Sequence, residues 1–425
     1  MKKINLNLVY LCAISILMLS ACKEELPEAL TVSAIEASGT DLKTGDAVTK
    51  DLNGAAAASD VPLDAVITVA FNKALDASTA TAANVSLNDG TDEVALSVSA
   101  TGSSLTITPN EALNRGIVYI LTLNGGLMAD DAGLLSQTTR TFTAAGRAAV
   151  NPPQAATQQA YFKLDGNANS TVGTYEGAET SISYGLDRFG NIGSAAEFDG
   201  DLSIIEVPNG DQLLTDNWTL SYWLQVNSID HVGGHFVMGI GDLYGFFIEI
   251  PGNMSSMKFT GRYQKDNNTT LPNDFFINAD GKDANNGGWE AIEYEADLSS
   301  TGGLANIFDQ KWAHMIVTYN AATNKRSLYL NGVLIETDNF NAVADLSSIT
   351  GLTFDDSGAG ADVIGKALAF GFNHDLTTTH WSDTPWGDYN KVDANHFKGS
   401  LDDIRFFDAA FSEADAMDLY NAEKP

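Results

Sequence analysis

Cysteine is nearly missing from this chain: of 425 residues only Cys12 and Cys22 carry a thiol. No disulfide framework is available beyond residue 22, so every later domain must be held by its own packed core. Basic residues are scarce as well, 23 against 55 acidic ones, for a net charge of −32. That balance excludes the basic footprint of a nucleic-acid binder. It also disfavours attraction to polyanionic glycans, within a Debye length of about 8 Å at physiological salt. Histidines number six, and no His-x-x-x-His pair sits on a helical pattern, so the sequence supports no zinc site. The loop histidines His231, His235, His374, His380 and His396 read as surface residues. No apolar run reaches the about 20 residues of a transmembrane helix. No serine or cysteine stands in a nucleophile setting, and no glycine-rich phosphate loop follows a strand and opens a helix.

What is present is an ordinary hydrophobic share of 44%, enough for packed cores. At about 150 residues per domain the length suggests two or three units. Lys2 and Lys3 precede an apolar run from Leu8 to Leu19, and small residues follow at Ser20 and Ala21. This is the order of a secretory signal, over residues 1–21. Residues 22–30 form a short acidic tether, and residues 146–157, with Pro152-Pro153, a stiffened linker.

Leu19-Ser20-Ala21-Cys22 resembles a bacterial lipobox. The resemblance implies that Cys22 is lipidated and becomes the first residue of the mature protein. Lys23-Glu24-Glu25 is similar to the export tag that sends some lipoproteins to the outer face of the outer membrane, which implies an anchored protein facing the cell exterior.

Between residues 31 and 145 the pattern has period two with turn punctuation, the mark of short antiparallel strands. Val66 to Phe71, Leu105 to Pro109, Val118 to Leu123 and Thr139 to Thr143 read as strands of a β-sandwich. Val61-Pro62-Leu63-Asp64-Ala65, Phe71-Asn72-Lys73-Ala74-Leu75-Asp76 and Leu113 to Tyr119 resemble a bacterial Ig-like domain, as does Leu127 to Gly133. Such domains are usually spacers.

Residues 158–425 are again strand-rich. Trp218 to Val226 sets Leu220, Tyr222, Leu224 and Val226 on one face against Thr219, Ser221, Trp223 and Gln225 on the other. Lys311 to Tyr319 reads as a second long strand. Asn331-Gly332 between apolar runs predicts a type I′ hairpin. Ser412 and Asp415 form a capping-box pair opening a helix of one to two turns through Tyr420. Trp218, Trp223 and Trp312, in regular strands, are assigned to the core.

These residues, with Ala195 to Gly200, Leu328 to Gly332 and Phe397 to Arg405, resemble the laminin-G-like, concanavalin A-like jelly roll. The fold class is therefore all-β: an Ig-like β-sandwich followed by a jelly-roll β-sandwich. The resemblance implies two stacked sheets, often with a sugar ligand and a calcium ion near the edge. For calcium, Asp165, Asp402 and Asp403 would be neighbours if the first and last strands pair, and Asp199-Gly200-Asp201 is an alternative. Two stretches, 252–303 and 367–395, are longer than a compact version needs, and long loops of this kind are usually functional. Their aromatics are Tyr263 and Trp289 in the first, and Phe372, Trp381, Trp386 and Tyr389 in the second. They are the candidate sugar-stacking residues. Glu293, Glu295 and Asp297 stand at period two and would share one face of a strand, yet they do not form the acid pattern of glycoside hydrolases on this fold.

The resulting expectation is non-catalytic capture of a polysaccharide or oligosaccharide, as an accessory to a TonB-dependent glycan importer. An adhesin, or a glycoside hydrolase or lyase, is the alternative.

Overall fold

The computed structural model describes residues 28–425 apart from Ala55, Val232 and 279–290. The signal, Cys22 and Trp289 lie outside the described residues. The chain divides into two units, Met1–Ala149 and Val150–Pro425.

In the first unit, a five-stranded sheet runs in the order Ala47–Asp51, Val32–Thr40, Val66–Phe71, Ser104–Pro109 and Leu96–Thr101. It is accompanied by a four-stranded sheet of Ala58–Val61, Thr138–Ala144, Val118–Leu123 and Val85–Asn88. The period-two pattern sorts side chains by face: Ile67, Val69 and Phe71 are buried while Val66 and Thr68 are exposed. Tyr119 anchors the core stacked on Phe142, and its hydroxyl accepts a 2.8 Å hydrogen bond from the Asn114 amide. That backward tie is the tyrosine corner of Ig-type sandwiches.

In the second unit two large antiparallel sheets enclose one core. The first sheet runs Ser183–Gly185, Ala195–Asp199, Lys398–Phe407, Trp218–Val226, Ala313–Asn320, Lys325–Leu330, Val333–Asn339 and Ile292–Glu295. Gln158–Phe162 also pairs with Lys398–Phe407. The second sheet runs Ala178–Thr180, Ile204–Val207, Leu368–Phe370, His235–Ile240, Phe246–Ile250, Ser256–Lys265 and Thr270–Asn278. Leu220, Tyr222 and Leu224 from one sheet meet Met238, Phe246 and Phe370 from the other. Each such side chain, fully buried, stabilises the fold by about 1.5–3 kcal/mol before chain entropy is counted. Asn331 and Gly332 both have positive φ, 52° and 77°, as the type I′ turn requires.

The outer faces of both sheets are partly roofed, which period two alone does not reveal. Over the first sheet lies the helix Glu413–Glu423, opened by the Ser412–Asp415 capping box. It runs past the expected end at Tyr420 because its last residue is a buried anchor: the Glu423 carboxylate accepts from Arg405 and from the Trp223 indole. Trp223 therefore packs on the outer face of its strand rather than inside the sandwich, and Trp312 is only half-buried. Over the second sheet folds the segment between Phe370 and Lys398, which buries Phe372, Tyr389 and Ala394 against Phe236, Phe247 and Ala369.

Candidate functional site

The expected calcium position is filled by a cation of the chain itself. Arg188 donates to both Asp402 and Asp403, and the Tyr161 hydroxyl donates to Asp403, all of them buried. Asp165 instead pairs with Lys163 at 2.6 Å. The guanidinium satisfies the two carboxylates a calcium ion would need, so these residues do not fit that ion. Asp199 is likewise engaged, its Oδ1 accepting from the amides of Asp201, Leu202 and Ser203. Among the described residues no group of three or more His, Cys, Asp or Glu is arranged to hold a metal.

Three of the predicted sugar-stacking aromatics are interior. Tyr263 is fully buried on a strand, between Tyr319 and Phe340, and its hydroxyl accepts from Arg326 at 3.0 Å. The stretch 252–303 is not one loop, since Ser256–Lys265, Thr270–Asn278 and Ile292–Glu295 are all sheet strands. Phe372 and Tyr389 lie beneath the second long segment, where an apolar ring is worth more against the sheet than in water. The acids do not share a face either: a bulge after Ile292 leaves Glu293 paired with Lys325 at 2.7 Å and buries Glu295.

The histidines also depart from expectation, for five of the six are buried. Burial pushes the pKa of His235 down to about 3, aided by neighbouring His231, and lowers that of His396. His374 sits with its ring nitrogens 2.8 and 2.9 Å from the carbonyl oxygens of Asp375 and Gly387. His380 Nδ1 meets Asp242 at 2.9 Å. His374 pins the segment 371–397 to itself and His380 pins it to Asp242, alongside backbone bonds from the Phe236 amide to the Asn395 carbonyl and from the Gly371 amide to the Val237 carbonyl.

What this pinning presents to solvent is Trp381 and Trp386, 40% and 49% exposed. Trp381 rests one ring face on His380, with centroids 4.3 Å apart. The Asn373 side-chain amide donates at 3.0 Å to the carbonyl of Trp386 and so fixes that backbone. Trp386 lines an open depression of about 670 Å³, together with Asp230, His231, Val392, Asp393 and Asn395. Asn395 Oδ1 accepts from the Gly234 amide at 2.9 Å, which seats Gly234 against the segment. An apolar ring beside carboxylate, imidazole and amide groups is the mixture that a polyhydroxylated ring needs: a flat surface for its C–H face and partners for its hydroxyls. The sequence reading identified Trp386 but not Asp230, His231, Asp393 or Asn395. The Gly233-Gly234 pair beside His231 was the available signal, since paired glycines mark a turn.

No curated protein sequence matches this chain. Solved structures with similar traces include the receptor binding domain of botulinum neurotoxin C/D mosaic serotype, 15% identical with a TM-score of 0.39. That match covers 63% of this chain and 52% of the other. The botulinum neurotoxin serotype D binding domain is 14% identical with a TM-score of 0.39, covering 63% and 51%. The botulinum neurotoxin DC binding domain, solved with rat synaptotagmin II, is 15% identical with a TM-score of 0.38, covering 63% and 52%. The chain thus spans about half the length of these structures, and likeness at this level carries no functional argument. Residues 46–144 match the family model described as bacterial Ig-like domain, and the chain is accordingly an all-β protein with an Ig-like domain in its N-terminal unit.

Proposed function

We propose that this protein is a lipid-anchored outer-membrane protein that faces the cell exterior and holds extracellular polysaccharide without cleaving it, as an accessory to a glycan-uptake system. The observation that carries the reading is Trp386, a half-exposed indole lining a depression rimmed by Asp230, His231, Asp393 and Asn395. An indole left in water forgoes burial that the same segment secures for Phe372 and Tyr389. Ligand stacking would recover it.

The anchor rests on the lipobox resemblance at Cys22, and the outward orientation on Lys23-Glu24-Glu25. The binding unit belongs to the concanavalin A-like jelly-roll type in this reading, with the Ig-like unit as the spacer between anchor and binding unit along the chain. Binding without turnover is supported by the state of the acids. Glu293 and Glu295 are split between an ion pair and the interior. Asp199 is partly buried, which raises its pKa, yet the amides of Asp201, Ser203 and Leu202 outweigh this and leave it lowered. A carboxyl held ionised in this way is a poor general acid.

Native electrophoresis through gels containing neutral polysaccharides tests the claim. Retarded migration with the polymer left intact is expected, and Trp386→Ala should weaken it by about tenfold, equivalent to roughly 1.4 kcal/mol. Undiminished retardation of that variant sinks the site, and shortened polymer sinks the non-catalytic reading. Cys22→Ser should move the protein from the membrane to the soluble fraction.

A further inference from the structure

A second depression, of about 450 Å³, opens on the outer face of the first sheet, at the edge that the C-terminal helix does not roof. Its floor is a row of residues in cross-strand register. Ser183 stands opposite Glu197, Glu197 opposite Ser400, and Ser400 opposite Gln225. Four neighbouring strands thus present a hydroxyl, a carboxylate, a hydroxyl and an amide, spaced by about 4.8 Å and spanning about 14 Å. Ser183 donates to Glu197 at 3.1 Å. Ser400 is 8% exposed, and neither its hydroxyl nor the Gln225 amide has a protein hydrogen-bond partner among the described residues. Both groups meet solvent in the depression, where a ligand hydroxyl can take the place of water.

The two depressions adjoin at consecutive residues. Asp199 lines the polar one and Gly200 the one beneath Trp386. Gly200 has φ +80°, and a Cβ there would stand 2.8 Å from Lys398 Cβ and 3.1 Å from His231 Nδ1. Lys398 lines the first depression and His231 the second, so glycine keeps the saddle between them low. Each depression falls within the about 300–1,000 Å³ that holds a drug-sized ligand, roughly two or three sugar units. The lining is acidic at Glu197, Asp199, Asp230 and Asp393, and the nearby Lys398 ammonium is engaged with the Ile229 carbonyl.

We infer that the two depressions form one groove, which takes an internal stretch of an uncharged polysaccharide. The chain stacks on Trp386, crosses Gly200 and is read by Gln225 and Ser400 beyond it. This rests on the binding role of the Trp386 depression proposed above. A glycan end or a single sugar would fill one half only, and uronates or sulfates would meet carboxylates along the lining.

The test uses the mature chain with laminarin, galactomannan and xyloglucan as neutral probes, and alginate and polygalacturonate as anionic ones. Oligosaccharides of two to six units from whichever neutral polymer retards the protein are then titrated calorimetrically. Affinity is expected to rise at least about tenfold from the shortest to the longest. Gln225→Ala/Ser400→Ala should lose about 25-fold on the longest, since each hydrogen bond contributes about fivefold, and nothing on the shortest. The anionic polymers should not retard. Length-independent affinity, an undisturbed double variant, or retardation by alginate equal to that by a neutral polymer overturns the groove alone if Trp386→Ala still weakens binding by about tenfold. Failure of every probe to retard the protein overturns both readings.

Discussion

Trp223 and Trp386 both keep company with polar and charged side chains, and they end in opposite circumstances. Trp223 is caged: Arg188 lies 4.3 Å over its ring, His314 stacks at 4.8 Å, and its Nε1 donates to Glu423. Each of those partners is itself engaged, Arg188 with Asp402 and Asp403, Glu423 with Arg405, His314 with Ser221. Around Trp386 the polar groups face an open depression and the ring is half in water. Similar residue chemistry serves cohesion where a helix roofs it, and is available to a ligand where nothing does.

The largest expected effect falls on the roofed side. Arg188→Ala leaves Asp402 and Asp403 buried without their guanidinium and should cost about 3–5 kcal/mol of stability, read by urea denaturation of the second unit. A loss below about 1 kcal/mol would mean that water reaches the pair and the cage is open.

Acidification should act next. Burial, assisted by Arg188, lowers the pKa of His314 to about 3, and burial with neighbouring His231 does the same for His235. The unfolded chain takes up these protons near pH 6.5, while the native state resists them until about pH 3. Stability is therefore full above the unfolded value and falls as pH drops through that window. Between pH 7 and pH 5 the loss should be about 2 kcal/mol per histidine. A flat stability profile over that interval would refute the neutral, buried state of both rings.

The smallest effect on stability is expected at the open side. Trp386→Ala should shift unfolding by no more than about 0.5 kcal/mol while removing most glycan retardation. If it destabilised the fold as strongly as Arg188→Ala, the indole would be a packing residue like Trp223 and the contrast would collapse.

Much of the scaffold was legible because its signals are local. Asn331-Gly332 needs only its own two φ angles to make the hairpin, and Ser412 with Asp415 caps its helix within four residues. Alternation in Val66 to Phe71 reports burial directly because one face of that strand is wet. The site was legible only in part. Trp381 and Trp386 stood out among turn-forming neighbours, but Phe372 and Tyr389 in the same segment carry the same signal and are buried beneath it. Tyr263 was misplaced because a hairpin of the second sheet was read as loop.

By itself the sequence determined the class of this protein. Cores without disulfides, two runs of strands and a strongly acidic charge balance all follow from composition and period, which act between near neighbours. The tertiary structure alone decided which polar residues serve the fold and which are left open to solvent. Arg188 reaches Asp402 across 214 positions, and Glu197, Ser400 and Gln225 become neighbours only through strand register. Whether a carboxylate or an indole is partnered depends on what covers it, and coverage is set by packing between segments far apart in the chain.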